Sequence, residues 1–205
     1  MCLFLAFCPP NVELKSIGGT QQGKMSLMLQ WLPLTPPRQR VIHPPQRYAD
    51  IVATLYQQAE IPICPAAAAP PRLPPSLAEG SPLLHSSRIP DLNVGVLEVE
   101  NLGNDPTTVS NWIFHWTRNL CRDKADTIYL FLNIEQYECA KVADACAERG
   151  YIFAGVSPDA FPGADALVMQ YINVSGDPFA RLEVLTDTAR LLRDFIREEW
   201  TALER

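Results

Sequence analysis

The sequence predicts an α/β domain that ends in a long amphipathic helix, and three stretches carry that reading. From Asp126 to Asn173 the chain reads as strand, helix, strand, strand. Ile128, Leu130 and Leu132 alternate with Tyr129 and Phe131, so both faces of the first strand are apolar, as in a central strand covered on both sides. Just upstream, NVGVLEVENLG reads as another strand with Val94, Val96 and Leu97 inside, followed by Asp105 as a helix cap with Pro106 at the first helical position. Downstream, Leu185, Ala189, Leu192, Phe195 or Ile196, Trp200 and Leu203 recur at helical spacing over the last thirty residues.

In chain order, residues 1–39 are expected to form a tail outside the domain. MCLFLAFC is apolar for too short a run to span a membrane, and it lacks the basic start and small-residue cleavage site of a signal peptide. Met25 heads MSLMLQWLPL, so residues 1–24 read either as a disordered tail or as a mis-called upstream start. The domain proper is expected over 40–175. Pro44 and Pro45 suit a helix's first turn, and Tyr48, Ile51, Val52, Leu55 and Ala59 make its stripe, which predicts a helix over 46–59. Residues 60–92 hold eight prolines and the run AAAA, which predicts a long exposed connection with little regular structure. In the helix after Asp105, Val109, Trp112, Ile113, Trp116 and Leu120 form the expected buried stripe. The next helix carries Cys139, Val142, Ala143 and Cys146 on one stripe, with Gly150 at the C-terminal cap. Residues 176–205 are expected as a helical extension, capped by Thr186 or starting earlier after Asp177–Pro178.

Composition narrows the function. A formal charge of −6 and a pI near 5.1, with no Lys/Arg run, argue against a nucleic-acid surface. The six cysteines (Cys2, Cys8, Cys64, Cys121, Cys139, Cys146) show no CxxC spacing, so neither a metal site nor a redox dithiol is indicated. They read as small buried hydrophobes in a reducing compartment, and the expected location is cytoplasmic, with no membrane contact. His43, His85 and His115 show no spacing to a partner that would mark a metal or nucleophilic site.

The run CAERGYIFAGV…DALVMQYI, within the order strand, helix, strand, helix, strand, strand over 93–173, resembles the closing half of a GNAT acyltransferase fold. HPPQRY, GND, GYIFAGVSP, DALVMQY and DPFARLEVLTDTARLLRDFI, in that order, resemble more closely the degenerate GNAT-like domain that follows the histidine-kinase-like ATPase of some bacterial anti-sigma regulatory proteins. The resemblance implies a mixed, splayed sheet flanked by helices. In an active GNAT enzyme, a Q/R-x-x-G-x-G/A loop at a helix start would hold the acyl-CoA pyrophosphate on backbone N–H groups. Here the equivalent residues are Gly103, Asn104, Thr107 and Thr108. That loop has one glycine, no leading Arg or Gln, a carboxylate at Asp105 and a missing donor at Pro106. The family's thiolate-protonating tyrosine falls on Cys146, with Tyr137 as a substitute, and a base could come from Glu98, Glu100 or Glu135.

Two readings therefore stand. In the first, the chain is a GNAT-like regulatory module with a degenerate acyl-CoA loop, no cofactor, and a protein or small-ligand partner anchored on Trp112, Trp116 or Trp200. In the alternative, it is a divergent acetyl-CoA-dependent N-acetyltransferase using Glu98 or Glu100. A third possibility is a homo-oligomer formed through Phe195, Trp200 and Leu203 of the C-terminal helix.

Overall fold

The protein is described by a computed structural model over residues 2–8, 15–16, 19–20, 25–31, 34–64, 83–174, 177–179 and 182–203. Its elements in order are β1 (Cys2–Cys8), β2 (Lys15–Ser16), β3 (Gly19–Thr20), β4 (Met25–Gln30) and β5 (Arg40–Val41). A 3₁₀ turn (Gln46–Tyr48) leads into α1 (Ala49–Gln58), then come β6 (Ile63–Cys64), β7 (Leu83–Ile89), β8 (Val94–Asn101), α2 (Pro106–Arg122) and β9 (Thr127–Asn133). α3 (Cys139–Ala147), β10 (Ile152–Phe161), β11 (Ala164–Ile172) and α4 (Asp187–Leu203) complete the chain.

A mixed sheet runs β7-β8-β9-β11-β10, and β1 and β4, from the stretch expected to lie outside the domain, extend it beyond β10. β8 and β9 are parallel, from Val94 opposite Thr127 to Val99 opposite Leu132, and the other neighbours are antiparallel. A parallel pair needs a crossover, and α2 supplies it. The two short strands β5 and β6 pair in parallel beside the main sheet.

Side-chain alternation assigns the faces. Leu97 and Val99, Ile128, Leu130 and Leu132, and Leu167 and Met169 join buried residues of all four helices in the main core cluster. The opposite face, with Val94, Tyr129, Ala154, Ala166 and Val168, forms a second cluster that draws on none of the four α-helices among the described residues. The core positions of β9 are buried on both faces, as its sequence implied.

Three of the local expectations meet the structure directly. Asp105 caps α2, with Pro106 at its first position. Cys139, Val142, Ala143 and Cys146 are buried on α3, and Gly150 closes that helix with φ +95. Thr186 Oγ1 accepts from Ala189 N at 3.2 Å, which selects the Thr186 start for α4. Two expectations are corrected. Part of the 60–92 connection is strand: once the prolines give out, 83–89 pairs with β8; residues 65–82, the proline-rich centre, lie outside the described residues. In α2, Trp112 and Trp116 are 45% and 42% exposed. The buried stripe is instead Val109, Ser110, Ile113, Thr117 and Leu120. Its two polar members can turn inward because the Ser110 hydroxyl donates to Thr107 O and the Thr117 hydroxyl donates to Ile113 O.

The segment before α1 is tied to the β10–β11 hairpin by a buried ionic cluster. Arg40, 1% exposed, donates from Nε to Asp165 Oδ2 at 3.0 Å and from Nη2 to Asp159 Oδ1 at 2.6 Å. Tyr56 of α1 donates its hydroxyl to the same Asp165 oxygen at 2.9 Å, and Asp159 N donates to the other at 2.9 Å. α4 is fastened by Glu199, which accepts from Phe153 N at 2.7 Å and from the Tyr48 hydroxyl at 3.2 Å.

Arg40→Ala leaves Asp165 as a buried charge without its cation, and urea denaturation is expected to show a loss of about 3–5 kcal/mol. Glu199 gives a pH signature. Burial holds its carboxyl above the ordinary value, against the opposing pull of the Phe153 amide and the Tyr48 hydroxyl. Above the unfolded value the native state then binds more protons than the unfolded chain, so this group's contribution to stability falls as pH rises. Relative to wild type, Glu199→Gln is expected to gain stability as pH rises from about 4, the ordinary carboxylate value, through the raised native value. Parallel pH profiles for the two proteins would refute this.

Candidate functional site

The place to look for anion or acyl-group binding is where β8 and β9 part and α2 begins. The ladder between them stops at Val99 and Leu132. Beyond that point, two adjacent backbone chains leave amide groups that a bound ligand could pair with. Here side chains of the protein take them. Asn133 Nδ2 donates to Glu100 O at 3.1 Å, and Gln136 Nε2 donates to the same oxygen at 2.9 Å. Gln136 Oε1 in turn accepts from Leu102 N at 2.8 Å. Gln136 thus bridges the mouth of the gap with both ends of its amide.

The helix start is satisfied in the same internal way. Gly103, at φ +59, turns the chain out of β8. Its N–H donates to Asn101 Oδ1 at 2.9 Å. Asp105 Oδ1 accepts from Thr107 N at 3.0 Å, and Asp105 Oδ2 accepts from the Thr108 hydroxyl at 2.6 Å. The Thr108 hydroxyl, first among these donors, holds the Asp105 carboxyl below the usual carboxylate range. Free N–H groups and the positive dipole end make a helix start attractive to a phosphate. Asp105 brings a resident carboxylate to that position.

The other sequence-predicted residues are distributed as follows. Glu98 and Glu100 alternate with Leu97 and Val99, which places them on the sheet face away from the helices, where Glu98 lies opposite Phe131. Cys146 is buried on the helical side, and burial pushes its thiol up to about 12. The sheet therefore stands between the candidate bases and the candidate proton donor, and the thiol is desolvated among apolar neighbours. Glu135 serves as an anchor: it accepts from Arg38 Nη1 at 3.0 Å and from Asp165 N at 3.1 Å. Tyr137 is exposed, with its ring edge-on to His43 at 5.7 Å. Phe195 and Trp200 pack against the main core, and Leu203 is exposed.

The sequence reading offered Trp112 and Trp116 as anchors yet counted them in the buried stripe; the structure puts them on the outer face of α2. Trp112 and Trp116, one turn apart, stand out from the helix, with His115 edge-on to Trp116 at 6.0 Å. The helix is braced on another side by Arg149, which donates to Ser110 O at 3.2 Å and Asn111 Oδ1 at 2.8 Å and lies 5.0 Å from the centre of the Phe114 ring. The signal available in sequence was Ser110 and Thr117 at i and i+7, a second stripe offset from the tryptophans.

Among the described residues, no group of three or more His, Cys, Asp or Glu side chains could hold a metal ion, and no helix is long and apolar enough to cross a membrane. Comparison with family models, with curated proteins and with solved structures gave no match.

Gln136→Ala strips the bridge from a buried backbone amide at Leu102. The expected cost in chemical denaturation is about 1–3 kcal/mol; a cost near zero would show that the amide is satisfied some other way.

Proposed function

We propose that this chain is a GNAT-like regulatory module that has lost acyl-CoA chemistry and works by binding a protein partner through the outer face of α2. The observation that carries the reading is the exposure of Trp112 and Trp116 side by side on that face. Tryptophan is enriched among the few residues that dominate binding energy at protein interfaces. Adjacent exposed aromatics on a surface helix also leave apolar area in water that a partner would remove. The bracing of the helix by Arg149 favours this use, because a rigid helix presents its anchors at little entropic cost.

The loss of the cofactor is supported by three features already described. Asp105 places negative charge at the α2 start, Gln136 and Asn133 occupy the backbone edge where a linear acyl carrier would pair, and Cys146 is desolvated behind the sheet. The element order from β8 to β11, strand, helix, strand, helix, strand, strand, agrees with the resemblance from which the reading began.

Calorimetric titration with acetyl-CoA and with free CoA is expected to give no heat. A Kd below about 100 µM, or a free energy beyond about −5.5 kcal/mol, would overturn the proposal in favour of an acyltransferase using Glu98 or Glu100. In the isolated chain, replacing Trp112 and Trp116 together by Ser is expected to shift unfolding by no more than about 1 kcal/mol, since the surface is held for a partner and not for the core. A loss of several kcal/mol would place the two rings in the fold's own packing.

A further inference from the structure

The short β5–β6 pair, the start of α1 and the first turn of α3 line an open hollow of about 430 Å³. Its wall is mainly apolar, built from Ile42, Ala49, Ala53, Ile63 and Ala140. Among the described residues, the polar groups that line it are Lys141, His43, Tyr137 and Cys64. Cavities of this size, with an apolar body and a small set of convergent polar groups, are the usual form of small-ligand sites.

The charge of the cavity is specific. Lys141 has no carboxylate within salt-bridge reach among the described residues; its ammonium instead lies 5.9 Å from the centre of the Tyr137 ring. The Lys141 side chain is exposed, so its ammonium is open to an incoming anion. His43 is held in place through its backbone, whose N–H donates to Ile134 O at 2.8 Å. Burial keeps its imidazole below the ordinary value against the opposing field of Glu138, so near neutral pH the ring adds a donor and an acceptor without charge. Glu138 acts on His43 but is not among the described residues that line the cavity. Cys64 Sγ accepts from Gln39 Nε2 at 2.9 Å.

We propose that this cavity is a binding site for a small monocarboxylic acid with an apolar body, the body lying against Ala49, Ala53 and Ile63 and the carboxylate meeting Lys141. The apolar wall gains by removing the body from water, and the carboxylate replaces the solvent that Lys141 otherwise keeps. This site is separate from the α2 surface and from the loop at Gly103–Thr108, so it stands or falls independently of the partner-binding reading.

The test uses octanoate as probe and octylammonium, with the same chain and the opposite charge, as control. Cys64 is the reporter: its alkylation by iodoacetamide is followed by peptide mass spectrometry, with calorimetry in parallel. Octanoate is expected to bind and to slow Cys64 alkylation, while octylammonium at the same concentration does not. Lys141→Gln is expected to weaken octanoate by about tenfold or more, the size of one lost contact between charged groups. Ala53→Trp, which puts a bulky ring on the wall of the hollow, is expected to weaken octanoate binding; if that variant does not fold, the probe pair and Lys141→Gln decide alone. Equal binding of the two probes, octanoate affinity unchanged in Lys141→Gln, or no binding of octanoate by either readout would each overturn the proposal.

Discussion

The fold rests on one buried carboxylate. Asp165 sits at the start of β11 and is fully enclosed, yet every side of it is answered: Arg40 and Tyr56 on one oxygen, Asp159 N on the other. Burial lifts its pKa above the ordinary value, with the Asp159 amide and the Tyr56 hydroxyl acting against that rise. A buried ion is tolerated only where hydrogen bonds replace the water it gives up. Meeting that condition fixes three elements far apart in sequence, β5, α1 and the β10–β11 hairpin, in one arrangement. Arg38 extends the same cluster by donating to Glu135 and to Gly163 O. One donor, Arg40 Nη1, is buried with no partner among the described residues, the mark of a group held for its two other contacts at some local cost.

From that anchor the sheet follows. α2 joins β8 to β9 as a crossover, and right-handed connection places α2 and α3 on one face. Parallel strands that part at their ends ordinarily leave a crevice suited to ligands. In this protein the crevice is closed from within. Gln136 and Asn133 pair with the backbone of β8, and Asp105 caps α2 with its own carboxylate. Each of these side chains contributes to stability by satisfying a group that would otherwise be orphaned. The same contacts withdraw those groups from any other partner.

Two open features among the described residues lie elsewhere. The tryptophans of α2 are displaced from the core by Ser110 and Thr117, which face inward with their hydroxyls paired to the helix's own carbonyls. Tyr151 strengthens that choice by sharing a 2.6 Å hydrogen bond with Thr117 in the interior. The cavity beside β5 and β6 arises because two-residue strands cover less of α1 than a full strand would. Both features come from small residues or short elements at places where longer ones would have closed the surface.

The sequence by itself determined α1, the regular elements from β8 onward and the local chemistry of the loop at Gly103. Periodicity, caps and prolines are local signals, and they located β8, α2, β9, α3, β10, β11 and α4, with Asp105–Pro106 and Thr186 as helix starts. The missing glycine, the carboxylate and the proline in that loop were equally local. Tertiary structure alone decided which stripe of α2 is buried, because hydrophobicity ranks Trp112 and Trp116 above Ser110 and Thr117 and only the shape of the facing sheet and α3 reverses that order. It also decided that 83–89 is a strand, since an edge strand with Ser86 and Ser87 depends on β8 for its hydrogen bonds. Arg40 with Asp165, and Gln136 with Leu102 and Glu100, were invisible for the same reason: these partners lie 125, 34 and 36 residues apart, and only the folded chain brings them within hydrogen-bonding distance.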